Sequence, residues 1–305
     1  MSNALETTHL SKRYGRHWAL QDCTLELPAG RVAALVGPNG AGKTTLLHLS
    51  VGLLEPTEGL VQIFGCSPLK QTTQTLPRLG FVAQDHPLYK DFTVADLLTL
   101  GRRLNPHWDD TLARARMQKL GIPLDRRAGK LSGGQQAQVA LVLALAKRPD
   151  LLLLDEPLAS LDPLARREFL RTLLDATVES GLTVLLSSHI IGDLERVCDY
   201  LIILSASYVQ LVGDMQEIGR THKRLVGPRQ DVDALASVHT VIETSQTERQ
   251  TTLLVRTNGP LFDTSWEIQE VSLEDIVLAY LSQQATERLS SSPSAQKQHG
   301  MEVVQ

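Results

Sequence analysis

A glycine-rich segment directly after a short apolar run constrains the fold of this chain more than any other feature. The segment reads GPNGAGKT from Gly37 to Thr44, and the apolar run before it is VAALV, residues 32–36. Glycines at this spacing let the backbone curl until several N–H groups point at one anion, and a helix that begins there adds its positive end. The pattern G-x-x-x-x-G-K-T therefore predicts a strand, a phosphate-binding loop and a helix in succession.

The residues of this loop have distinct predicted tasks in binding a nucleotide. Lys43 supplies a mobile positive charge for the β- and γ-phosphates, and the Thr44 hydroxyl is placed to ligate Mg²⁺. A chance glycine turn is the alternative, but it does not explain the predicted strand before the loop and the predicted helix after it. The predicted nucleotide-binding residues of the loop are Gly37, Pro38, Asn39, Gly40, Ala41, Gly42, Lys43, Thr44 and Thr45.

Two adjacent carboxylates, Asp155 and Glu156, follow the four-leucine run 151–154. Such a run predicts a buried strand, and ligands of parallel sheets bind at the carboxyl ends of the strands. Asp155 is predicted to hold Mg²⁺ opposite Thr44, and Glu156 to polarise a water for in-line attack on the γ-phosphorus. An acidic pair that merely caps the next element is the alternative, and the phosphate-binding loop favours the catalytic interpretation.

Short apolar runs alternate with helical patterns over the first two thirds of the chain. Apolar runs without polar alternation predict strands that are buried on both faces, and hence a parallel sheet with helices on either side. The sequence therefore predicts the α/β class, with a doubly wound domain over residues 1–213. The further strand candidates are 60–65, 80–84, 183–187 and 200–204, and the helix candidates are 43–54, 135–147, 163–179 and 190–197.

The pattern changes in the last third of the chain. Residues 241–244 and 251–257 are predicted to pair as a hairpin, and residues 272–281 to form an amphipathic helix. We interpret 214–282 as a small C-terminal α+β accessory domain. Residues 283–305 are polar and rich in Ser and Gln, so they are predicted to be a disordered tail.

The composition excludes several classes of protein. Hydrophobic residues make up 42% of the 305 residues and charged residues 21%, with a formal net charge of −4 and three cysteines. A mainly disordered chain, a disulfide scaffold, a nucleic-acid coat and a polybasic membrane anchor are therefore not expected. We also expect no signal peptide, and no apolar run approaches the ~20 residues that span a bilayer. These observations predict a soluble intracellular protein without a nucleic-acid partner.

A second glycine-rich segment, LSGGQ at residues 131–135, precedes a predicted helix. Ser132, Gly133 and Gly134 place N–H groups and a hydroxyl at the start of that helix, which again suits an anion. One nucleotide needs only one such cradle, so the second is predicted to bind the phosphate of a nucleotide held by another subunit. Two chains arranged head to tail would then bury two ATP molecules between them. The alternative is a serine N-cap followed by flexible glycines.

These motifs together resemble those of the ATP-binding subunits of ABC (ATP-binding cassette) transporters. LSGGQ matches the signature of that family without a substitution, and the resemblance covers about residues 3–213. It implies a P-loop NTPase core with a helical signature subdomain at about 88–147, and an ATPase that uses ATP and Mg²⁺. It also implies a homodimer or heterodimer of such subunits that drives a separate membrane permease. The expected location is cytoplasmic, at the inner face of the cell membrane.

The resemblance further assigns roles to residues that are unremarkable alone. Gln84 matches the glutamine loop, which contacts Mg²⁺ or the attacking water, and His189 matches the switch histidine at the γ-phosphate. Tyr14 matches the aromatic that stacks on adenine, and Asp162 matches a loop that crosses the dimer interface. Gln135 is the last residue of the signature LSGGQ and belongs to the predicted ATP-binding residues with Ser132, Gly133 and Gly134. Without the resemblance, the first four are interpreted as a strand-end amide, a structural histidine, a turn tyrosine and a helix N-cap.

Three functions are compatible with a phosphate-binding loop, and a transport ATPase is favoured. The alternative is a soluble ABC-type mechanoATPase acting on nucleic acid or the ribosome, but such relatives usually carry coiled-coil insertions, zinc-binding cysteines or a second cassette. A P-loop kinase has no use for LSGGQ, and a GTPase needs a guanine-reading motif. The stretches DFTVADLLTLGRRLNPHWD and VSLEDIVLAYL resemble bacterial multidrug and antibiotic exporters of the ABC-2 type, so export of a drug, antibiotic or similar compound is expected.

Overall fold

The computed structural model describes residues 2–228, 233–259 and 265–290, and its elements fall into two units, Met1–Met215 and Gln216–Gln305. The strands of the first unit are β1 (Asn3–Tyr14), β2 (His17–Pro28), β3 (Val32–Val36), β4 (Glu58–Ile63), β5 (Leu79–Val82), β6 (Leu151–Leu154), β7 (Thr183–Ser188), β8 (Tyr200–Ser205) and β9 (Tyr208–Asp214). Its helices are α1 (Lys43–Ser50), α2 (Thr72–Thr75), α3 (Val94–Leu104), α4 (Asp110–Lys119), α5 (Gly133–Ala146), α6 (Pro163–Ser180) and α7 (Ile191–Leu194). Within the described ranges of the whole chain, no helix is long and apolar enough to cross a membrane.

The main sheet of the first unit has six strands in the order β5-β6-β7-β3-β8-β9. Neighbouring strands are parallel except at one edge, where β9 runs antiparallel to β8. Every residue of β6 and β7 is buried, as expected for strands covered on both faces. The predicted α/β class is therefore confirmed, and β9 is an antiparallel addition to it.

A second sheet of three antiparallel strands, in the order β2-β1-β4, adds a layer that the sequence analysis did not predict. Strand β1 pairs with β2 on one side and with β4 on the other. In β1, Leu5 and Leu10 are fully buried, whereas His9 and Arg13 are exposed. Such mixed burial is typical of antiparallel strands with one solvated face, and a search for continuous apolar runs does not detect it.

Helices α3, α4 and α5 share an apolar cluster of their own. Val94, Leu98, Met117 and Val142 have no exposed surface and belong to this cluster. Helix α3 begins with a capping box, in which the Thr93 hydroxyl accepts a hydrogen bond from the Asp96 N–H. The segment predicted as a helical subdomain thus contains three helices around one apolar cluster.

The second unit is built on a four-stranded antiparallel sheet. Its strands are β10 (His222–Pro228), β11 (Thr240–Gln246), β12 (Gln250–Arg256) and β13 (Glu267–Gln269), and its helices are α8 (Met215–Thr221), α9 (Asp233–Ala236) and α10 (Leu273–Ser290). The strand order is β11-β12-β10-β13, so β12 separates the two strands of the β10-α9-β11 unit. The predicted hairpin is confirmed as β11 and β12. Strands β10 and β13 were not predicted, because HKRLVGP and EIQ carry no extended apolar pattern.

The C-terminal helix is longer than the sequence analysis predicted. Helix α10 continues to Ser290, so it includes residues 283–290 of the segment for which a disordered tail was predicted. No glycine or proline occurs from Leu273 to Ser292, so the sequence has no helix breaker where the tail was predicted to begin. The rest of the predicted tail, residues 291–305, lies outside the described residues.

A buried histidine in the second unit joins β10 to α10. His222 is 1% exposed, and its Nδ1 lies 2.8 Å from the carbonyl oxygen of Ile218, which can only accept a hydrogen bond. Nδ1 therefore carries the proton, and Nε2 accepts a hydrogen bond from the Tyr280 hydroxyl at 3.0 Å. Burial lowers the pKa of His222, which keeps this ring neutral.

We expect the second unit to lose stability as the pH falls below about 6.5, the ordinary pKa of histidine. The folded pKa of His222 is lowered, so the unfolded chain binds more protons in this window and up to about 1.4 kcal/mol is lost per pH unit. Denaturant unfolding followed by Trp266 fluorescence, with Trp18 and Trp108 replaced by Phe, measures the effect. His222→Gln should flatten the pH dependence, and an unchanged slope in that variant would contradict the assignment.

Candidate active site

The glycine-rich loop between β3 and α1 has the backbone geometry that its sequence predicts. Gly40 and Gly42 have φ angles of 80° and 107°, which L side chains rarely adopt. A Cβ atom at Gly42 would overlap the carbonyl oxygen of Ala19, and one at Gly37 would overlap that of Leu204. Neighbouring strands therefore require glycine at residues 37 and 42, in addition to the turn itself.

Lys43, the first residue of α1, is folded back onto this loop. Its Nζ donates hydrogen bonds to the carbonyl oxygens of Gly37 at 2.7 Å and Pro38 at 3.3 Å. The same atom lies 3.2 Å from Glu156 Oε1, and the two side chains are only 6% and 9% exposed. A cation and a carboxylate are therefore paired in a nearly solvent-free environment, where each stabilises the charge of the other.

The two carboxylates after β6 are held by groups on the neighbouring strand. Asp155 is 1% exposed, and its Oδ1 accepts a hydrogen bond from the Ser187 hydroxyl at 2.8 Å. Glu156 has a φ angle of 45°, a left-handed conformation that is uncommon for a residue other than glycine. Its Oε2 lies 2.9 Å from Nδ1 of His189. Glu156 therefore contacts both Lys43 and His189.

The loop, Glu156 and His189 surround a single cavity of about 480 Å³. The cavity is lined by His17, Ala19, Asn39, Gly40, Gly42, Lys43, Thr44, Thr45, Gln84, Glu156, Ala159 and His189. Gln84 lies two residues beyond the end of β5, and His189 directly follows β7. The structure therefore brings together residues that the sequence analysis took from four separate motifs.

Several other predicted residues do not line this cavity. Tyr14 is 48% exposed, and Lys12 Nζ lies 5.4 Å from the centre of its ring. Tyr14 pairs with His17 across the β1–β2 turn, and His17 does line the cavity. The turn thus places Tyr14 next to the cavity wall. Asp155 is buried behind the wall, and the remaining predicted residues outside the lining are Gly37, Pro38, Ala41, Ser132, Gly133, Gly134, Gln135 and Asp162.

The LSGGQ segment forms a capping box at the start of α5. The Ser132 hydroxyl accepts a hydrogen bond from the Gln135 N–H at 3.2 Å, and Gln135 Oε1 accepts one from the Ser132 N–H at 3.1 Å. A Cβ atom at Gly134 would lie 2.9 Å from the Cβ of Ala165 on α6, whereas one at Gly133 would meet nothing within 4 Å. The serine N-cap is therefore confirmed, and glycine at 134 is also required for close packing.

Asp162 caps α6, as the alternative interpretation of this residue predicted. Its Oδ1 accepts hydrogen bonds from the N–H groups of Leu164 and Ala165, each at 3.0 Å, and Pro163 follows it at the first helical position. Asp162 is exposed, so a second protein surface can reach its side chain. Its predicted contact across a dimer interface stays a prediction.

We expect Asp162→Ala to destabilise the first unit by about 1 kcal/mol, since two N–H groups of α6 lose their acceptor. Asp162→Asn keeps an acceptor oxygen and removes the charge, so its stability should be close to that of the wild type. Thermal unfolding of both variants measures the cap, and their ATP turnover measures any contribution of the charge. Equal unfolding temperatures for Asp162→Ala and the wild type would contradict the capping role.

Oxygen donors near the cavity suit Mg²⁺. Thr44 offers a hydroxyl, Gln84 an amide oxygen and Asp155 a carboxylate, and Mg²⁺ prefers oxygen ligands and usually keeps several waters. Within the described part of the chain, no cluster of three His, Cys, Asp or Glu side chains could hold a metal ion by itself. The donor set therefore fits a cation that is shared with the phosphates of a nucleotide.

Sequence reasoning missed two residues of this site. Ser187 has no motif of its own, and only its position on β7 beside β6 brings it to Asp155 and Glu156. His17, the first residue of β2, lies in a polar segment without any recognisable spacing, and it lines the cavity together with residues of the loop. Neither residue has a signal in the sequence, since both contacts depend on strand register.

Comparisons with known proteins agree with this geometry. A family model described as ABC transporter matches residues 20–159. The sulfate/thiosulfate import ATP-binding protein CysA 1 of Rhizobium meliloti is 37% identical, over 68% of this chain and 62% of that protein. The ABC transporter ATP-binding protein YtrB of Bacillus subtilis is 31% identical, over 70% of this chain and 73% of that protein. The solved structure of a dimeric bacterial ABC transporter cassette has a TM-score of 0.61 at 25% identity, covering 69% of this chain and 98% of its own.

The matches cover different shares of the related proteins. The chain spans about 62% of the length of the sulfate/thiosulfate import proteins that it matches. The match to YtrB covers more than two thirds of this chain and more than two thirds of YtrB. The match to the ABC transporter family model includes the phosphate-binding loop, the LSGGQ segment and the carboxylate pair. The chain therefore belongs to the ATP-binding proteins of ABC transporters, which are ATPases.

Proposed function

We propose that this chain binds ATP with Mg²⁺ in the cavity described above and hydrolyses it to drive a separate membrane permease. The observation that carries the proposal is the meeting of Lys43, Glu156 and His189 around one cavity beside the phosphate-binding loop. A cation for the phosphates, a base for water and a side chain that reaches the base are the groups that in-line hydrolysis requires.

Each of these residues has a separate task in the proposed reaction. The N–H groups of the loop and Lys43 neutralise the phosphate oxygens, and Glu156 accepts the proton of the attacking water. His189 contacts the carboxylate of Glu156 at 2.9 Å and orients it. Gln84 lines the same cavity and positions the water or the metal. Thr44 and Asp155 would hold Mg²⁺, which supplies additional positive charge for the phosphates when it is bound.

Binding of ATP must rearrange the pair formed by Lys43 and Glu156. Lys43 Nζ is engaged by Glu156 and by the Gly37 carbonyl oxygen, so it has to leave these partners to reach the phosphates. The phosphate oxygens then replace the carboxylate as the partner of the cation. Glu156 is thereby released to accept a proton from water, and we infer that nucleotide binding itself prepares the base.

The adenine end of the nucleotide is proposed to lie against the turn between β1 and β2. Tyr14 supplies a ring for stacking, and its half-exposed surface is available to a base. His17 and Ala19 line the cavity on the same side, so they bound the space for the base or the ribose.

We further propose that two such subunits, identical or different, dimerise head to tail. The LSGGQ segment lies outside the cavity lining, yet its helix start offers N–H groups suited to a phosphate. A second subunit would place this segment against the ATP held by the first, with Asp162 near the shared interface. The similarity to a solved dimeric cassette supports this arrangement.

The direction of transport depends on the permease. Export of a drug or antibiotic was expected from two short stretches, and the similarity to the CysA proteins does not support it, since their names refer to sulfate/thiosulfate import. Import of an oxyanion such as sulfate is therefore the second candidate. The chain matches only part of those proteins, so the cargo is not carried over from them.

The proposal is tested by purifying the chain together with the membrane protein encoded beside it. The expected result is Mg²⁺-dependent ATP hydrolysis, and retention of the chain by membranes that contain this permease but not by membranes without it. Uptake of radiolabelled sulfate by intact cells, compared with efflux of a fluorescent drug, decides the direction. A chain that hydrolyses ATP but stays off the permease-containing membranes would favour the alternative of a soluble ABC-type ATPase acting on nucleic acid or the ribosome.

A further inference from the structure

Ser187 lies at the centre of the carboxylate pair, although no motif marks it. Strands β6 and β7 are parallel, and their register pairs Leu154 with Leu186, so that the next residues, Asp155 and Ser187, lie side by side. Ser187 is fully buried. Its hydroxyl makes two hydrogen bonds of 2.8 Å, one with Asp155 Oδ1 and one with the backbone N–H of Glu156.

The directions of these two hydrogen bonds follow from the atoms involved. The N–H of Glu156 can only donate, so the Ser187 oxygen accepts from it. The single proton of the hydroxyl is then left for Asp155, which accepts it on Oδ1. One buried hydroxyl therefore restrains both acidic residues at once, and it fixes which oxygen of Asp155 is already engaged.

The second of these contacts acts on an unusual backbone conformation. Glu156 has a φ angle of 45°, which costs free energy in a residue with a side chain. The hydrogen bond from its N–H to Ser187 stabilises this conformation. The left-handed backbone in turn directs the Glu156 side chain toward Lys43 and His189. A hydroxyl on the adjacent strand thus stabilises the orientation of the Glu156 side chain, the proposed base.

We propose that Ser187 is a positioning residue for ATP hydrolysis, acting through Asp155 and Glu156. Its hydroxyl holds Asp155 in the orientation that binds Mg²⁺ and holds Glu156 in the orientation that faces the attacking water. Groups that orient metal ligands in this way affect metal affinity or activity by about 10–100-fold when they are removed. The inference rests on the proposed function, since it assigns a task within the same site.

The test compares Ser187→Ala with Ser50→Ala in the full chain. Ser50 is also fully buried and donates one hydrogen bond, to the carbonyl oxygen of Leu46 at 2.8 Å, but it lies at the end of α1 away from the carboxylates. The dissociation constant of ATP is measured by calorimetry in excess EDTA and again in excess Mg²⁺, and ATP turnover is measured in parallel. The ratio of the two dissociation constants isolates the contribution of the metal.

For Ser187→Ala we expect unchanged ATP affinity in EDTA, a gain in affinity from Mg²⁺ that is about 10-fold smaller than in the wild type, and a turnover lowered by about 10–100-fold. Ser50→Ala should keep the wild-type gain and turnover. Ser187→Thr retains the hydroxyl and should recover part of both losses. Ser187→Cys is close in size but a weak donor, so it should behave like the alanine variant and replaces it if that variant does not fold.

Two results would overturn the assignment of Ser187. The first is a Ser187→Ala protein with the wild-type gain from Mg²⁺ and the wild-type turnover. The second is an equal loss of ATP affinity with and without Mg²⁺, because that pattern indicates general damage to the nucleotide site. A wild-type chain that binds and hydrolyses no ATP would overturn the proposed function and this inference together, so the two failures are distinguishable.

Discussion

Glu156→Gln is expected to lower ATP turnover by about 10²–10⁴-fold while ATP affinity stays equal to or tighter than that of the wild type. The amide has the size of the carboxylate but cannot accept the proton of the attacking water. Affinity is expected to be retained because Lys43 loses a buried ionic partner at 3.2 Å and is then freer to reach the phosphates. The loss of one negative charge beside the phosphates acts in the same direction.

Turnover is measured by phosphate release and affinity by calorimetry with ATP and Mg²⁺. Glu179→Gln is the matched control, since it makes the same chemical change at an exposed carboxylate that pairs with Arg116 and lies outside the cavity lining. The control should hydrolyse ATP at the wild-type rate. Wild-type turnover in the Glu156→Gln protein would show that this carboxylate is not the base.

Ser132→Arg is expected to abolish ATP-dependent dimerisation and with it most turnover, while each separate chain still binds ATP. Ser132 is exposed at the start of α5 and does not line its own cavity. A long cationic side chain at this point would therefore obstruct a partner subunit without touching the nucleotide of its own chain. Light scattering with and without ATP measures dimerisation, and calorimetry measures binding to the monomer.

Ser132→Ala separates obstruction from the loss of the helix cap. Both variants lose the hydroxyl that accepts from the Gln135 N–H, which costs about 1 kcal/mol, but only arginine adds bulk. The alanine variant should therefore dimerise with ATP and keep a measurable turnover. Loss of monomer binding in the arginine variant would place the segment at the nucleotide of its own chain, against the head-to-tail arrangement.

The parts of the fold that the sequence predicts well are those with a strong local pattern. The four leucines of β6 and the apolar run of β3 identify strands buried on both faces, and the hairpin of the second unit follows from two apolar runs separated by a short turn. The antiparallel strands β1 and β2 and the strands β10 and β13 were missed. In β1, β2 and β10 buried and exposed positions are mixed, and all three residues of β13 are exposed, so the strand character of these segments depends on the strands that pair with them.

The candidate site divides in the same way. The phosphate-binding loop, the carboxylate pair and the LSGGQ segment are contiguous in sequence, so the chemistry of each could be interpreted from its residues alone. Resemblance to a family was needed for Gln84 and His189, because a single amide or imidazole after a strand has no distinctive pattern. Their place at the cavity became visible only in the structure.

The sequence by itself determined that this chain builds a phosphate-binding loop after a buried strand, because Gly40 and Gly42 allow left-handed backbone conformations within a few residues of each other. The tertiary structure alone decided how the acidic pair is held. Ser187 is 31 residues from Glu156 along the chain, and the parallel register of β6 and β7 makes them neighbours. Contacts of this kind depend on which strands lie side by side and in which register, and a local pattern of residues does not determine strand order or register.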